Sequence, residues 1–298
     1  MLARRRQLRQ LRESRPVKVL VTGATGFVAG HLIPHLVGAG HHVVATGHDR
    51  ARLERFPGAE PIVFDLRERR LAGVLPERLD AIIHLAQANV PYPEGAADLF
   101  DVNVGSTQRL LEYGRQAGVN RFVYASSGSV YGPGDRPWRE DDPAVGPGYY
   151  AATKQAAERL VDGYGGEFPS TIIRLFAPYG PGQQRRLIPG LIERVRAGRP
   201  VDLREGGRPR VNPVYVTHVD HIIEQALAVR GSQVVNLGGD EVLSIRDMAE
   251  IIGRELGLAP VYQEVAGSSG GDTVGDTTRL RRLFRLPNRL ITFADGVR

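Results

Sequence analysis

Apolar residues along this chain follow two patterns. At 17–21, 42–46, 61–64, 81–86 and 121–125 they form short, nearly unbroken runs rich in valine, isoleucine and other apolar residues, as in strands covered on both faces. At 27–37 and about 98–117 they recur every three or four residues, as on the buried side of a helix. Short apolar strands alternating with such helices predict an α/β fold built on a doubly wound parallel sheet. Further along, 187–196 and 245–256 carry helical spacing. The run 279–285, with arginines at 279, 281, 282 and 285, predicts an amphipathic helix with a solvated basic face. No stretch of about 18 apolar residues occurs, so no membrane-spanning helix is expected. No repeat of solenoid period is visible.

The first strand-to-helix junction reads Thr22-Gly23-Ala24-Thr25-Gly26-Phe27-Val28. Strand, glycine turn and helix in that order are the context of a dinucleotide-binding turn. Gly23 can adopt a backbone conformation closed to residues with a side chain. Gly26 lets a pyrophosphate approach the main chain, and the free N–H groups of the helix start, around Thr25, Phe27 and Val28, hold the anion. The second strand closes at Gly47, where an NAD site usually carries an acid for the ribose hydroxyls. Here His48, Arg50 and Arg52 follow and offer positive charge to a 2′-phosphate, while Asp49 reads as a helix cap. The cofactor expected is NADP ahead of NAD. The third strand ends at Asp65-Leu66, where the carboxylate either contacts adenine or caps a helix. In the fourth, His84 reads as a packed residue, and Leu85, Ala86 and Gln87 follow where a cofactor would lie across the strand end.

The 298 residues, 42% hydrophobic and 24% charged, suit one large globular domain or two intimate ones. A net charge of +6 invites a nucleic-acid reading, but residues 1–16 carry most of it, six arginines against Glu13. A basic tail on a nearly neutral body is not a nucleic-acid groove. The tail lacks the apolar core of a secretory signal and reads as a disordered extension. The absence of cysteine excludes disulfides, thiolate catalysis and cysteine-held metal, and fits a cytoplasmic setting. No metal site, membrane or nucleic-acid partner is expected.

The fifth strand ends in Ser126-Ser127-Gly128-Ser129. Ligands of open parallel sheets bind beyond the carboxyl ends of the strands, which makes these serines candidates. After a proline-rich acidic loop a helix begins at Tyr149, and Tyr150 and Lys154, four residues apart, share one face of it. A phenol of ordinary pKa about 10 is a poor base at neutral pH, but a neighbouring ammonium favours its phenolate. Tyr150 would then exchange a proton with a substrate alcohol or ketone, Ser127 would orient the same oxygen, and Lys154 would also hold the nicotinamide ribose.

Together these features resemble the extended branch of the short-chain dehydrogenase/reductase superfamily, which holds the NAD-dependent epimerases and dehydratases of nucleotide sugars. The resemblance is carried by TGATGFVAG at 22–30, Asp65-Leu66, HLA at 84–86, Asn103-Val104-Gly105, SSGSVYG at 126–132 and Tyr150/Lys154. It continues in RLFAPYGPG at 174–182, VNPVYVTHV at 211–219, VVNLGG at 234–239 and a Gly-Asp…Asp-Thr element at 271–277. It implies a Rossmann domain at 17–177, to which segments near 217–238 return, and a smaller C-terminal α/β substrate domain at 178–298. It further implies Ser127, Tyr150 and Lys154 as the catalytic trio, Asn103 in the cofactor site, and a homodimer paired through helices 98–117 and 150–164.

The departures concern the substrate. Ala29 stands at the third fingerprint glycine. Gly128-Ser129 replace the Asp-Glu with which the dehydratases drive loss of water, so 4,6-dehydration is not expected. Ala177 replaces an asparagine that contacts the nucleotide sugar, and Ser269-Gly270 stand where many members place a diphosphate-binding arginine. Ser127, Ser129, Ala177, Arg185 and Arg210 are the candidate substrate contacts, with Arg186 a further anion ligand. Three functions stay open: a nucleotide-sugar epimerase or 4-ketoreductase, an NADPH-dependent reductase of a smaller carbonyl compound, and a non-catalytic dinucleotide sensor or assembly factor. The complete trio argues against the last.

Overall fold

The computed structural model describes residues 16–68, 71, 73–268, 271–287 and 290–298. The basic tail expected at 1–16 lies outside them apart from Pro16, as do Ser269 and Gly270. The apolar runs form strands close to their expected bounds: β1 (Lys18–Thr22), β2 (His42–Gly47), β3 (Ala59–Val63), β4 (Ala81–His84) and β5 (Arg121–Ser127). With β6 (Ser170–Leu175) and β7 (Gln233–Leu237) they make a seven-stranded sheet of order β7-β6-β5-β4-β1-β2-β3. The β1–β2, β2–β3, β1–β4 and β4–β5 ladders run parallel. The chain moves outward from β1 to β3, then returns to β4 on the other side of β1. Ligands of doubly wound sheets bind at such a reversal, beyond the carboxyl ends of the strands.

The principal helices are α1 (Phe27–Gly38), α2 (Ser106–Ala117), α3 (Tyr149–Gly163), α4 (Leu187–Arg196), α5 (Val216–Ala226) and α6 (Ile245–Leu256). The single helix expected over 98–117 is interrupted. Ala96–Phe100 is α-helical, Asp101–Gly105 is a π turn, and regular α-helix resumes in α2. Hydroxyls take up carbonyls around this bulge, Ser106 Oγ donating to Val102 O at 2.5 Å and Thr107 Oγ1 to Asn103 O at 2.7 Å. The basic run at 279–285 forms a shorter helix than expected, Thr278–Leu283, because Phe284 turns extended and is buried.

The chain divides into two compact units. The first takes the chain up to Ser126, with Gly148–Ile173 and Asp220–Val234; the second takes Ser127–Pro147, Arg174–Val219 and Val235–Arg298. In the first, Leu20, Val44, Ile82 and Phe122 of four strands pack with Leu110 and Leu111 of α2 and Ala157 and Val161 of α3. In the second, Leu191 and Val195 of α4 pack with Val201, Leu203, and Met248 and Ile252 of α6. A Ser244–Asp247 capping box starts α6 and Gly257, at φ 67°, ends it, the two devices that satisfy exposed helix termini. Among the described residues, no helix is long and apolar enough to cross a membrane.

Ile82 lies fully buried in β4, at the centre of the first core. Ile82→Ala is expected to lower the unfolding free energy by about 2–5 kcal/mol in urea titrations. A loss below about 1 kcal/mol would mean that this core collapses around the missing atoms.

Candidate active site

At Gly23 the chain turns with φ 67°, and a Cβ there would lie 2.7 Å from the N and Cα of Ala86. Only glycine allows the end of β1 to sit this close to the segment leaving β4. Gly26 N–H closes the turn on Gly23 O at 2.8 Å, and Gly26 then caps α1 without a side chain. Thr25, Phe27 and Val28 surround a helix start whose first N–H groups carry no side-chain cap. This donor set, at the positive end of a twelve-residue helix beside a turn with no side chain, fits the pyrophosphate of a dinucleotide.

Beyond β2, Asp49 caps a short helix, accepting from Arg52 N–H at 3.2 Å, as expected from the sequence. The Arg52 guanidinium reaches back to Thr25 O at 2.6 Å. His48 and Arg50 are exposed, Arg50 against Glu54. After β3, Asp65 accepts from both the backbone and the guanidinium of Arg67. These hydrogen bonds hold its carboxyl below the usual range, against burial. Leu66 O accepts from Arg109 at 2.5 Å.

The first turns of α3 hold the reactive candidates. Tyr150 OH donates to Gln87 Oε1 at 3.0 Å, so Gln87, at the end of the β4 segment that continues through Leu85 and Ala86, meets the phenol. Lys154 is wholly buried; its Nζ donates to Ala125 O at 2.6 Å and stands 4.3 Å from the Tyr124 ring centroid. Burial pushes the ammonium down to about 7, opposed by the Glu158 carboxylate. Glu158, one turn further along α3, accepts from Ser126 Oγ at 2.5 Å. Asn103, presented by the π turn, pairs with Ala88 through N–H (2.8 Å) and C=O (3.1 Å) and donates to Thr153 Oγ1 (3.0 Å). It therefore ties the loop after β4 to α3. His84 is packed, as read from the sequence, against Thr22 (2.7 Å) and Thr107 (3.1 Å). Burial, and then the Lys154 charge, push it down to about 3, so it is neutral. Sequence reasoning overlooked Glu158, although it stands four residues after Lys154 on the same helix face.

In the second unit, Ser127 caps the turn Gly128–Val130, its Oγ accepting from Ser129 N–H at 3.2 Å. The Ser129 Oγ is buried without a partner, the kind of atom a ligand satisfies. A Cβ at Gly128 would meet the Phe176 ring at 2.5 Å, and one at Gly275 would meet its other edge at 2.6 Å. Phe176 thus fills the space a dehydratase aspartate would need at 128. Ala177 holds φ 44°, a backbone asparagine tolerates better, and its carbonyl accepts from Val214 N–H. Asp272 accepts from Arg210 N–H and Nε, both at 2.8 Å, and from Arg208 at 2.9 Å. Burial raises the Asp272 carboxyl, but Arg210 hydrogen bonds and the two arginine charges outweigh it and hold it below the usual range. Among the described contacts Arg208, which sequence reasoning missed, joins Arg210 here; Arg185 stands exposed before α4 with φ 54°.

A glycine turn opening a helix at the reversal of a parallel sheet defines a dinucleotide-binding α/β protein of the doubly wound class. More narrowly, the chain belongs to the NAD dependent epimerase/dehydratase family, whose profile matches residues 19–238, within the extended short-chain dehydrogenase/reductase enzymes. It is 32% identical to the UDP-glucose 4-epimerase of Mycolicibacterium smegmatis, covering 94% of this chain and 96% of that one. It is 26% identical to the probable UDP-glucuronate 4-epimerase of Rhizobium meliloti, covering 85% and 86%. The solved structure of MoeE5 in complex with UDP-glucuronic acid and NAD matches with a TM-score of 0.83 at 30% identity, covering 94% and 96%. The UDP-glucuronic acid 4-epimerase from Bacillus cereus shares the fold, with a TM-score of 0.85 at 24% identity and coverage of 94% and 96%.

Lys154 gives a stability signature. Its ordinary 10.5 falls to about 7 in the fold. Below about pH 7 folded and unfolded chains are both charged there, and the full cost of burying the ammonium is present. Between those values only the unfolded chain holds the proton, so the cost is relieved as pH rises. Lys154→Met is expected to exceed the wild type in stability near pH 6 by on the order of a few kcal/mol. The gap in urea midpoint should close between pH 7 and 10; a constant or widening gap contradicts this.

Proposed function

We propose that this chain is an epimerase that exchanges hydride and proton with a UDP-sugar at a carbinol carbon, with Tyr150 as acid/base. The observation that carries this reading is the Tyr150–Lys154 pair on one face of α3, with Lys154 sealed from water and held by Ala125 O. The positive charge of Lys154 lowers the cost of the Tyr150 phenolate. The Ser127 oxygen already accepts from Ser129 N–H, so its O–H is the part left to orient the substrate oxygen. When bound, the nicotinamide dinucleotide supplies the hydride acceptor and donor. Gly23, Thr25, Gly26, Phe27 and Val28 hold its pyrophosphate, and Asp65, Leu66, Leu85, Ala86, Gln87 and Asn103 hold the rest.

UDP as the nucleotide is supported by the relatives, a UDP-glucose 4-epimerase and a protein solved with UDP-glucuronic acid. In this reading Arg208 and Arg210 supply charge for the diphosphate, and Ser129, Ala177 and Arg185 are further contacts. The active form is a cytoplasmic homodimer paired through α2 and α3. Ala177, at the family's asparagine, favours a second reading, reduction of a smaller carbonyl compound with NADPH.

Tyr150→Phe removes one oxygen. It is expected to lower kcat on UDP-glucose or UDP-glucuronate by at least about 100-fold, with thermal stability unchanged. Near-full turnover in the variant would sink the acid/base role. Failure of UDP-, dTDP-, GDP- and CDP-sugars alike to raise the wild type's Tm would move the assignment to the smaller carbonyl compound.

NADP is proposed ahead of NAD because Gly47 offers no acid, Asp49 is engaged as a cap, and His48, Arg50 and Arg52 surround the strand end. Fluorescence titration is expected to give NADPH a Kd at least about tenfold below that of NADH, in line with charge-assisted phosphate contacts. Tighter NADH binding, as the NAD in MoeE5 would suggest, overturns the preference.

A further inference from the structure

The last turn of α1 carries His35, and α5 carries Asp220, His221 and Glu224. His35 Nε2 lies 2.7 Å from Glu224 Oε2. The His35 and His221 rings meet edge to face, with centroids 4.7 Å apart. One donor atom from each of His35, His221 and Glu224 lies within 4.8 Å of the other two. We propose that these three side chains bind one divalent transition-metal ion of the zinc class, away from the residues assigned to cofactor and substrate.

The donor set and its spacing suit such an ion. Zinc bonds to imidazole nitrogen and carboxylate oxygen of about 2.0–2.2 Å put tetrahedral ligand atoms roughly 3.4 Å apart. The His35–Glu224 pair has to open slightly and His221 to close slightly. The ion takes the place of the proton that His35 and Glu224 share. His221 and Glu224, three residues apart, project from one face of α5. Two imidazoles with one carboxylate select zinc, cobalt or nickel over magnesium or calcium.

A second observation concerns the surroundings. Asp220, one turn before Glu224, is only 3% exposed, and its Oδ1 has no hydrogen-bond partner. A buried carboxylate without compensation is costly. A divalent cation in the neighbouring cluster offsets that cost. His41 completes the outer layer. Its Nδ1 accepts from Val17 N–H at 3.3 Å, which leaves the proton on Nε2, 3.8 Å from Glu224 Oε1. At that distance it lies behind the carboxylate without a hydrogen bond to it and is not itself a ligand. The ion staples α1 to the part of α5 that belongs to the same unit.

The test uses the full chain, treated with EDTA, dialysed, and titrated calorimetrically with zinc sulfate alone. One ion per chain is expected, together with a rise in Tm. His221→Ala, at an exposed position, and Glu224→Gln are each expected to weaken binding at least about tenfold and to abolish the Tm rise. His42→Ala removes an exposed histidine outside the cluster and should leave both unchanged. Cobalt substitution is expected to give the absorption bands of a tetrahedral site, lost in His221→Ala. No saturable zinc binding, or wild-type binding in either His221→Ala or Glu224→Gln, overturns the site and leaves His35–Glu224 as an ordinary ion pair.

Discussion

The buried ammonium of Lys154 constrains the first unit of this protein more than any other group. Out of reach of water, it must be satisfied by protein, and the Ala125 carbonyl, the Tyr124 ring and the Glu158 charge do so. Two of these partners belong to β5 and one to α3 itself. Their positions fix the rotation of α3 against the strand, and that rotation aims Tyr150, one turn earlier, at Gln87. Burial disfavours the charged form, while the carbonyl and the acid favour it. The fold thus keeps the Tyr150–Lys154 pair next to a strand end at a cost in stability.

Close backbone approach is the second constraint. Gly23 brings the end of β1 against Ala86 at a distance no side chain would permit, and Asn103, presented by a π turn, holds the same segment at Ala88. π bulges often present functional residues in this way. The turn, the segment after β4 and the start of α3 are therefore joined through short contacts, and a shift in one is felt in the others. His84, neutral and hydrogen-bonded on both sides, fills the interior behind them.

A different set of contacts holds the second unit. Phe176, wedged between Gly128 and Gly275, excludes an acid at position 128 by volume, so the lack of the dehydratase pair is part of the packing. Arg208 and Arg210 share the buried Asp272, which holds two guanidinium groups together despite their repulsion.

The alternation of strands and helices, the glycine turn, the cap at Asp49, the packing of His84 and the Tyr150–Lys154 spacing were all legible in the sequence. Each is set by interactions within a few residues or by a hydrophobic period, and such local constraints leave a direct pattern in the chain. The interruption at 101–105 was not legible, because the apolar spacing of a π turn differs from that of a helix by a single residue. Nor were the partners that give the site its chemistry. Gln87 meets Tyr150 across 63 residues, Arg210 meets Asp272 across 62, and His35 meets Glu224 across 189. Sequence by itself determined which residues carry reactive groups and which face of their element they occupy. Only the tertiary structure decided which of those groups meet, because the sheet order that joins distant segments follows from burying all the apolar faces at once.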